Sequence, residues 1–292
     1  DKVLASNPAA FGVVVVRADI RAFPSDRVVI KRPGGFDTFQ YSSIAPGEKL
    51  ALLHRSADGA WGFFQTRFVR GWIRLDRVAF GGRGDGPDGD GGFIVVTGSR
   101  ETVFGDTALK RPVLTLPMGS VLYLAAGESP IEKGLFYSVM YPVKSLGGLA
   151  WKTGYVDRRA DVSEGFLPYT RRNIITQAFK MLGDEYGWGG AEGRRDCSAF
   201  IMDVFSSVGI LLPRHSMQQG ASGVVRLGID GAGAGAASPE SMARALAGAD
   251  PGITLLALDG HIMLYLGAVD GKPHVIHQIW GYMSEAGLTE LK

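Results

Sequence analysis

The stretch GWGGAEGRRDCSAFIMDVF, Gly187 to Phe205, runs from a glycine-rich turn into an amphipathic helix and carries the chain's one cysteine, Cys197, at the junction. Phe200, Ile201, Val204, Phe205 and Val208 recur at helical spacing as a buried stripe, with Asp203 facing out and Gly209 as the stop. A thiol at a helix entry meets unpaired backbone N–H groups and the positive end of the helix dipole. Both favour the thiolate, which is the form that attacks. A lone cysteine is also a small hydrophobe suited to a core, so position alone leaves packing and chemistry both open.

A cysteine nucleophile needs a base and a third group to orient that base. The chain has five histidines. His54 lies among β segments with no partner motif, and His215 sits in the polar loop LPRHSMQQ, where it could line a cleft. His261 opens HIMLYLG and His277 lies in VIHQ, two strand-like segments joined by the turn AVDGKP. A helix packed across that pair brings the thiol to His261, with His277 beside it to fix the imidazole. A zinc site from one Cys and two His lacks the close paired spacing such sites use. No metal or cofactor is implied.

Upstream of the cysteine, Thr170 is the candidate N-cap of a helix through Leu182. Ile174, Ala178 and Leu182 lie on one face, Ile175 and Phe179 beside them, and Gly183 is the stop. Downstream come a Gly/Ala-rich loop (231–240), a helix near Pro239–Ala247 and the strands Ile253–Leu258, His261–Leu266 and His274–Gln278. Helices followed by an antiparallel sheet make residues 169–292 an α+β domain.

The front of the chain is all β. Strand signals fall at Phe11–Arg17, Lys49–His54, Trp61–Thr66 and Gly71–Ile73, then at Phe93–Thr97 and Gly119–Ala125. Gly154-Tyr-Val echoes Gly71-Trp-Ile, giving a weak repeat of about 75–80 residues. This divides the chain into a first small barrel with its N-terminal segment (1–80), a Gly/Asp-rich linker (81–92), a second barrel (93–168) and the cysteine-bearing domain (169–292). The Arg-Gly-Asp at 83–85 reads as chance, and the linker lacks the closing Glu of a calcium loop.

With 31 basic against 29 acidic residues the net charge is +2, which excludes the concentrated basic face of a nucleic-acid binder. Arg171–Arg172 and Arg194–Arg195 read as solvated loop ends. No apolar run approaches the roughly 20 residues of a membrane span. The chain opens at Asp1 without a signal-like segment, so it reads as a mature secreted form, a trimmed form or a cytosolic protein.

The segment AFKMLGDEYGWGGAEGRRDCSAFIMDVFSSVGILLPRHSMQQ, with HIMLYLG and VIH downstream, resembles the NlpC/p60 cysteine peptidases of bacterial cell walls, a papain-like fold. The Gly-aromatic-aliphatic element of the front units, as in HRSADGAWGFF and GWIRLDRVAF, resembles the bacterial SH3-like barrel. The fold expected is therefore α+β, a papain-like NlpC-type domain preceded by two small all-β SH3-like barrels. The resemblance implies Cys197 as nucleophile, His261 as base and His277 as the orienting residue, with Tyr186, Asp196 and Ser198 shaping the pocket for a peptide's amino end. Asp196 reads equally as a helix cap. Two SH3-like barrels ahead of such a domain is similar to the arrangement in γ-D-glutamyl-diamino acid endopeptidases, some of which are restricted to stem peptides with a free N-terminal L-Ala.

The expected substrate is thus a peptidoglycan stem peptide or muropeptide, cut by a monomer in the cell envelope or in cytoplasmic recycling. Three departures stand against the family pattern. PGITLLALDG lacks the usual Asp before the base strand, the 221–248 loop is long, and the chain stops soon after His277, so a final strand would be short or absent. Two other functions fit the same residues: a wall-binding protein with an inactive peptidase-like domain, or an acyltransferase or lipid hydrolase on the papain-like fold.

Overall fold

Val14 is sealed from solvent inside a seven-stranded antiparallel sheet. In the computed structural model, residues 10–87, 92–126, 134–223, 246–284 and 287–290 are described. The first sheet holds β1 (Ala10–Val14), β2 (Ala18–Arg21), β3 (Gln40–Ile44), β4 (Lys49–Arg55), β5 (Trp61–Gln65), β6 (Arg70–Arg74) and β7 (Val78–Gly81), in the order β3-β2-β6-β5-β4-β1-β7. Ile20, Leu50, Phe64, Ile73 and Val78 fill it. β2, β3 and β7 carry no strand signal in the sequence. Two of them put polar groups inside: Arg21 is buried and donates to Asp37 at 2.6 Å and to Gln40 at 3.0 Å. Mutual pairing makes such burial tolerable.

A second β unit follows. It holds β8 (Phe93–Val96), β9 (Arg100–Phe104), β10 (Pro112–Pro117), β11 (Val121–Tyr123), β12 (Phe136–Ser145), β13 (Gly148–Asp157) and β14 (Val162–Glu164). These strands form two sheets, β10-β9-β13-β12 and β11-β8-β14, around Ile94, Val96, Val103, Leu116, Val139 and Val156. Near the tip of the long β12–β13 hairpin, Lys144 Nζ donates to the carbonyl of Leu75 at 3.1 Å and so ties the two β units together.

The third unit begins with α1 (Arg171–Phe179), capped by Thr170, whose hydroxyl accepts from the Asn173 N–H at 3.2 Å. Its buried face is Ile174, Gln177 and Ala178, continued by Met181 (1% exposed). Leu182 is instead 70% exposed and Phe179 48%, because the helix ends at Phe179 and the chain turns before Gly183 (φ +86°). α2 (Cys197–Ser206) buries the expected stripe. α3 (Ser216–Gly220) follows, then the sheet β15-β16-β17: Leu255–Leu258, His261–Val269 and Lys272–Ile276. A hairpin of β18 (Gly281–Ser284) and β19 (Gly287–Glu290) stands where a short or missing final strand was expected. The 231–240 loop and most of the Pro239–Ala247 helix lie outside the described residues.

Candidate active site

The entry to α2 is shaped by a short 3-10 turn, Trp188–Gly193, pressed against β3 of the first barrel. Gly189 and Gly190 have φ of +58° and +74°, and a Cβ on Gly190 would lie 2.1 Å from Ser43 Oγ. Only glycine meets both the left-handed backbone and the close approach. Gln40 Nε2 donates to the Gly189 carbonyl at 3.0 Å, and Arg17 donates to that of Gly190.

Cys197 is the first residue of α2 and is buried. The backbone N–H of Ile262 donates to its sulfur, so the start of β16 at His261–Ile262 lies against the thiol. His261 Nε2 is 2.7 Å from His277 Nδ1. With Nε2 engaged by His277, a base role for His261 falls to Nδ1. For Nδ1 to accept a proton, Nε2–H must donate to His277 Nδ1, which places the His277 proton on Nε2.

The electrostatics correct one expectation. Burial, reinforced by the neighbouring Asp196 carboxylate, pushes the Cys197 thiol up, against the lowering by the Ile262 and Ser198 amides and by Arg214. Burial, with a smaller push from His277, holds His261 below the usual imidazole value, and burial does the same to His277. A neutral thiol beside a neutral imidazole is therefore the favoured resting form. The helix entry does supply amides, but desolvation outweighs them.

Asp196 caps α2, accepting from the Ala199 N–H at 2.9 Å and the Gly189 N–H at 3.1 Å. It is not a free counter-charge. Arg214 grips both its oxygens, at 3.0 and 2.5 Å, donates to Ser198 Oγ at 2.7 Å, and reaches Ser42 Oγ of β3 at 2.8 Å. Sequence reasoning noticed Arg214 only as part of Leu-Pro-Arg. Its partners lie 16, 18 and 172 positions away, so no local pattern marks it.

Tyr186 is brought near Asp196 and Cys197. Burial and those two groups raise its phenol well above the ordinary value, so the hydroxyl keeps its proton. Phe36, from the loop between β2 and β3, stacks on Trp188 at 4.8 Å, tilts against Tyr186 at 5.7 Å and meets Trp280 edge-on at 5.2 Å. The first barrel thus adds one ring, Phe36, to an aromatic cluster of the cysteine-bearing unit, and no motif in its own sequence announces it.

Arg195 corrects two readings at once. It is 3% exposed rather than a solvated loop end, and it donates to Asp203 at 2.7 Å, Asp184 at 3.0 Å and the Ser99 carbonyl at 2.5 Å. Asp203 therefore does not face open solvent but anchors this junction with the second barrel. His215 caps α3 through Nδ1, which accepts from the Met217 N–H at 3.3 Å, and His54 lies edge-on to Trp72.

Comparison with known proteins agrees with this architecture. Residues 183–282 match the model of the NlpC/P60 family, and residues 34–74 match an SH3 domain of the SH3b1 type. A search of curated proteins finds no match. Among solved structures, a novel NlpC/P60 endopeptidase from Photobacterium damselae subsp. piscicida superposes with a TM-score of 0.71 at 22% identity, over 93% of this chain and 61% of that one. An NlpC/P60 family protein from Bacillus cereus ATCC 10987 gives a TM-score of 0.59 at 15% identity, over 92% of this chain and 94% of its own. The chain therefore spans about three-fifths of the length of the Photobacterium protein, and at these identities the likeness is one of fold. Residues 183–282 are thus similar to the NlpC/P60 family, and residues 34–74 ahead of them to an SH3 domain of the SH3b1 type.

Proposed function

We propose that the chain is a cysteine endopeptidase of peptidoglycan stem peptides, cutting the amide between the γ-carboxyl of D-Glu and the diamino acid, either meso-diaminopimelate or Lys. The observation that carries the reading is the 2.7 Å His261–His277 bond at the strand whose second residue, Ile262, bonds the Cys197 sulfur. A buried thiol and a base with one nitrogen oriented and the other free are what acyl transfer through a thioester requires.

The steps follow from the neutral resting pair. As the Cys197 sulfur attacks the carbonyl carbon, its proton passes to His261 Nδ1, and His277 stabilises the imidazolium by accepting from the His261 Nε2–H at its own Nδ1. The oxyanion is held by backbone N–H groups at the start of α2, each donor of this kind lowering the barrier by about 2.7–4 kcal/mol. The Tyr186 hydroxyl, kept protonated, is a further donor facing the site. His261 then gives its proton to the diamino acid's amine, which leaves as the C–N bond breaks. Water, deprotonated by His261, hydrolyses the thioester and restores the thiol.

Asp196 and Ser198 face the acceptor side in this reading, and a substrate ammonium from N-terminal L-Ala shares their oxygens with Arg214. An enzyme of this kind works in the cell envelope or on recycled wall fragments. The test is product analysis by mass spectrometry on L-Ala-γ-D-Glu-diamino acid peptides, with free and acetylated N-termini. The expected result is L-Ala-D-Glu from the free-amine peptide alone. Cleavage at another bond, or none, overturns the assignment.

A further inference from the structure

Gln219 is 1% exposed and lies on α3, the short helix that follows the Arg214 loop. Its side-chain amide donates twice, to the Ser198 carbonyl at 2.9 Å and to the Pro213 carbonyl at 2.8 Å. Both acceptors border the thiol's surroundings. Ser198 follows Cys197 in the first turn of α2, and Pro213 precedes Arg214, whose guanidinium grips Asp196 and Ser198. Gln219 Nε2 thus fastens together the backbones of two segments that also meet through these side chains.

The first turn of a helix has no earlier turn to accept from its N–H groups, so its geometry is set from outside. Here the peptide between Ser198 and Ala199 is held at both ends. Its N–H donates to Asp196 at 2.9 Å and its carbonyl accepts from Gln219. That fixes Ser198, whose own N–H donates to the Cys197 sulfur. The next residue of α3 reaches the opposite side of the site. Gly220 lies so close to β15 that a Cβ on it would fall 2.5 Å from Ala257 Cβ. Ala257 is the cross-strand partner of Ile262, the residue whose N–H also donates to the sulfur, and Leu258 is the partner of His261. α3 therefore spans the gap between the sheet that bears the base and the turn that bears the nucleophile, touching one through Gly220 and the other through Gln219.

Stability alone gives little reason for an amide at this position. Gln219 Oε1 is buried with no hydrogen-bond partner, and a stranded acceptor offsets much of what the two donor bonds contribute. An apolar side chain of similar length removes that stranded oxygen and strands the Pro213 carbonyl instead, one for one, while the Ser198 carbonyl keeps its place in the α2 ladder. We infer that Gln219 is a positioning residue for the nucleophile: it holds the first turn of α2 where the Cys197 sulfur meets the Ser198 and Ile262 amides beside His261. The kinetic consequence of this role rests on the peptidase reading; the placement of the sulfur does not.

The test compares Gln219→Met with the parent in the full chain, with circular dichroism recorded for both. One arm follows alkylation of Cys197 by iodoacetamide across pH, and the other follows turnover of the L-Ala-γ-D-Glu-diamino acid peptide. With the sulfur held less well against its two amides, the alkylation midpoint should rise by about half a pH unit or more. kcat should fall about tenfold or more with KM within about twofold, since alignment of the reacting groups is lost and substrate binding is not. The alkylation arm uses no substrate, so it decides the inference even if the parent leaves the peptide uncut, a result that sinks the peptidase reading alone. If Gln219→Met does not fold, Gln219→Asn takes its place: it keeps the amide but is one methylene too short to bridge both carbonyls, and its midpoint should rise in the same direction. A midpoint unchanged or lowered in the folded variant, or kcat within about twofold of a parent that cuts the peptide, overturns the role.

Discussion

Replacing Arg214 by Met removes the guanidinium that joins the first barrel to the entry of α2 while keeping much of the stem's packing. Arg214 and Asp196 are both nearly buried and meet at 2.5 Å. Breaking a buried pair costs about 3–5 kcal/mol, chiefly because the remaining charge is left without its counter-ion. Here Asp196 keeps the Ala199 and Gly189 N–H groups and the Ser198 hydroxyl, at 2.9, 3.1 and 3.2 Å. The loss therefore falls at the lower end, about 3 kcal/mol. Since the chain has several units, a single melting temperature is a poor reporter. Hydrogen exchange of the α2 amides by mass spectrometry reads the opening of this region directly. A loss of about 3 kcal/mol speeds exchange roughly a hundredfold. Adding Asp196→Asn removes the stranded charge and should recover at least about 1.5 kcal/mol of that loss as coupling. Exchange accelerated less than about threefold in Arg214→Met, or no recovery in the double variant, would refute the view that this pair secures the site.

Three other outcomes follow from the same geometry. The thiol is raised and His261 lowered, so alkylation of Cys197 by iodoacetamide should be slow at neutral pH and climb with pH to a midpoint above the usual ~8.5. The base form of His261 persists to lower pH than an ordinary imidazole, so kcat/KM should fall only below pH ~6.5. A flat, fast alkylation profile across pH 5–8 (roughly the span in which an ordinary histidine titrates) would mean a preformed thiolate–imidazolium pair instead. Gly190→Ala combines a left-handed backbone with a Cβ 2.1 Å from Ser43 Oγ. It should cost at least about 1–3 kcal/mol and loosen the first barrel from the turn, read as increased proteolysis between the units; unaltered cleavage would show that the turn does not need that approach.

What the sequence made legible was what neighbours in the chain decide. The stripe Phe200, Ile201, Val204, Phe205, the Thr170 cap and the β16–β17 pairing follow from local periodicity, and the His261–His277 contact follows from that pairing. What stayed hidden depends on distant partners. Arg195 looks like a loop charge until Ser99, far earlier in the chain, is folded against it. Phe36 looks like one residue of a glycine-rich loop until it stacks on Trp188. β2 and β3 carry no strand signal because Arg21 and Gln40 point inward, which breaks the alternation that signals a strand. The Cys197 shift runs opposite to the sequence expectation because helix position is written in the sequence and burial beside Asp196 is not.

The most direct measurement is turnover of an L-Ala-γ-D-Glu-diamino acid peptide by the Cys197→Ala protein, alongside its circular dichroism. The account predicts no detectable L-Ala-D-Glu from a protein folded like the parent, since removing one sulfur leaves the cap, the Arg214 pair and the histidine bond in place. Peptide hydrolysis retained without Cys197 would contradict it.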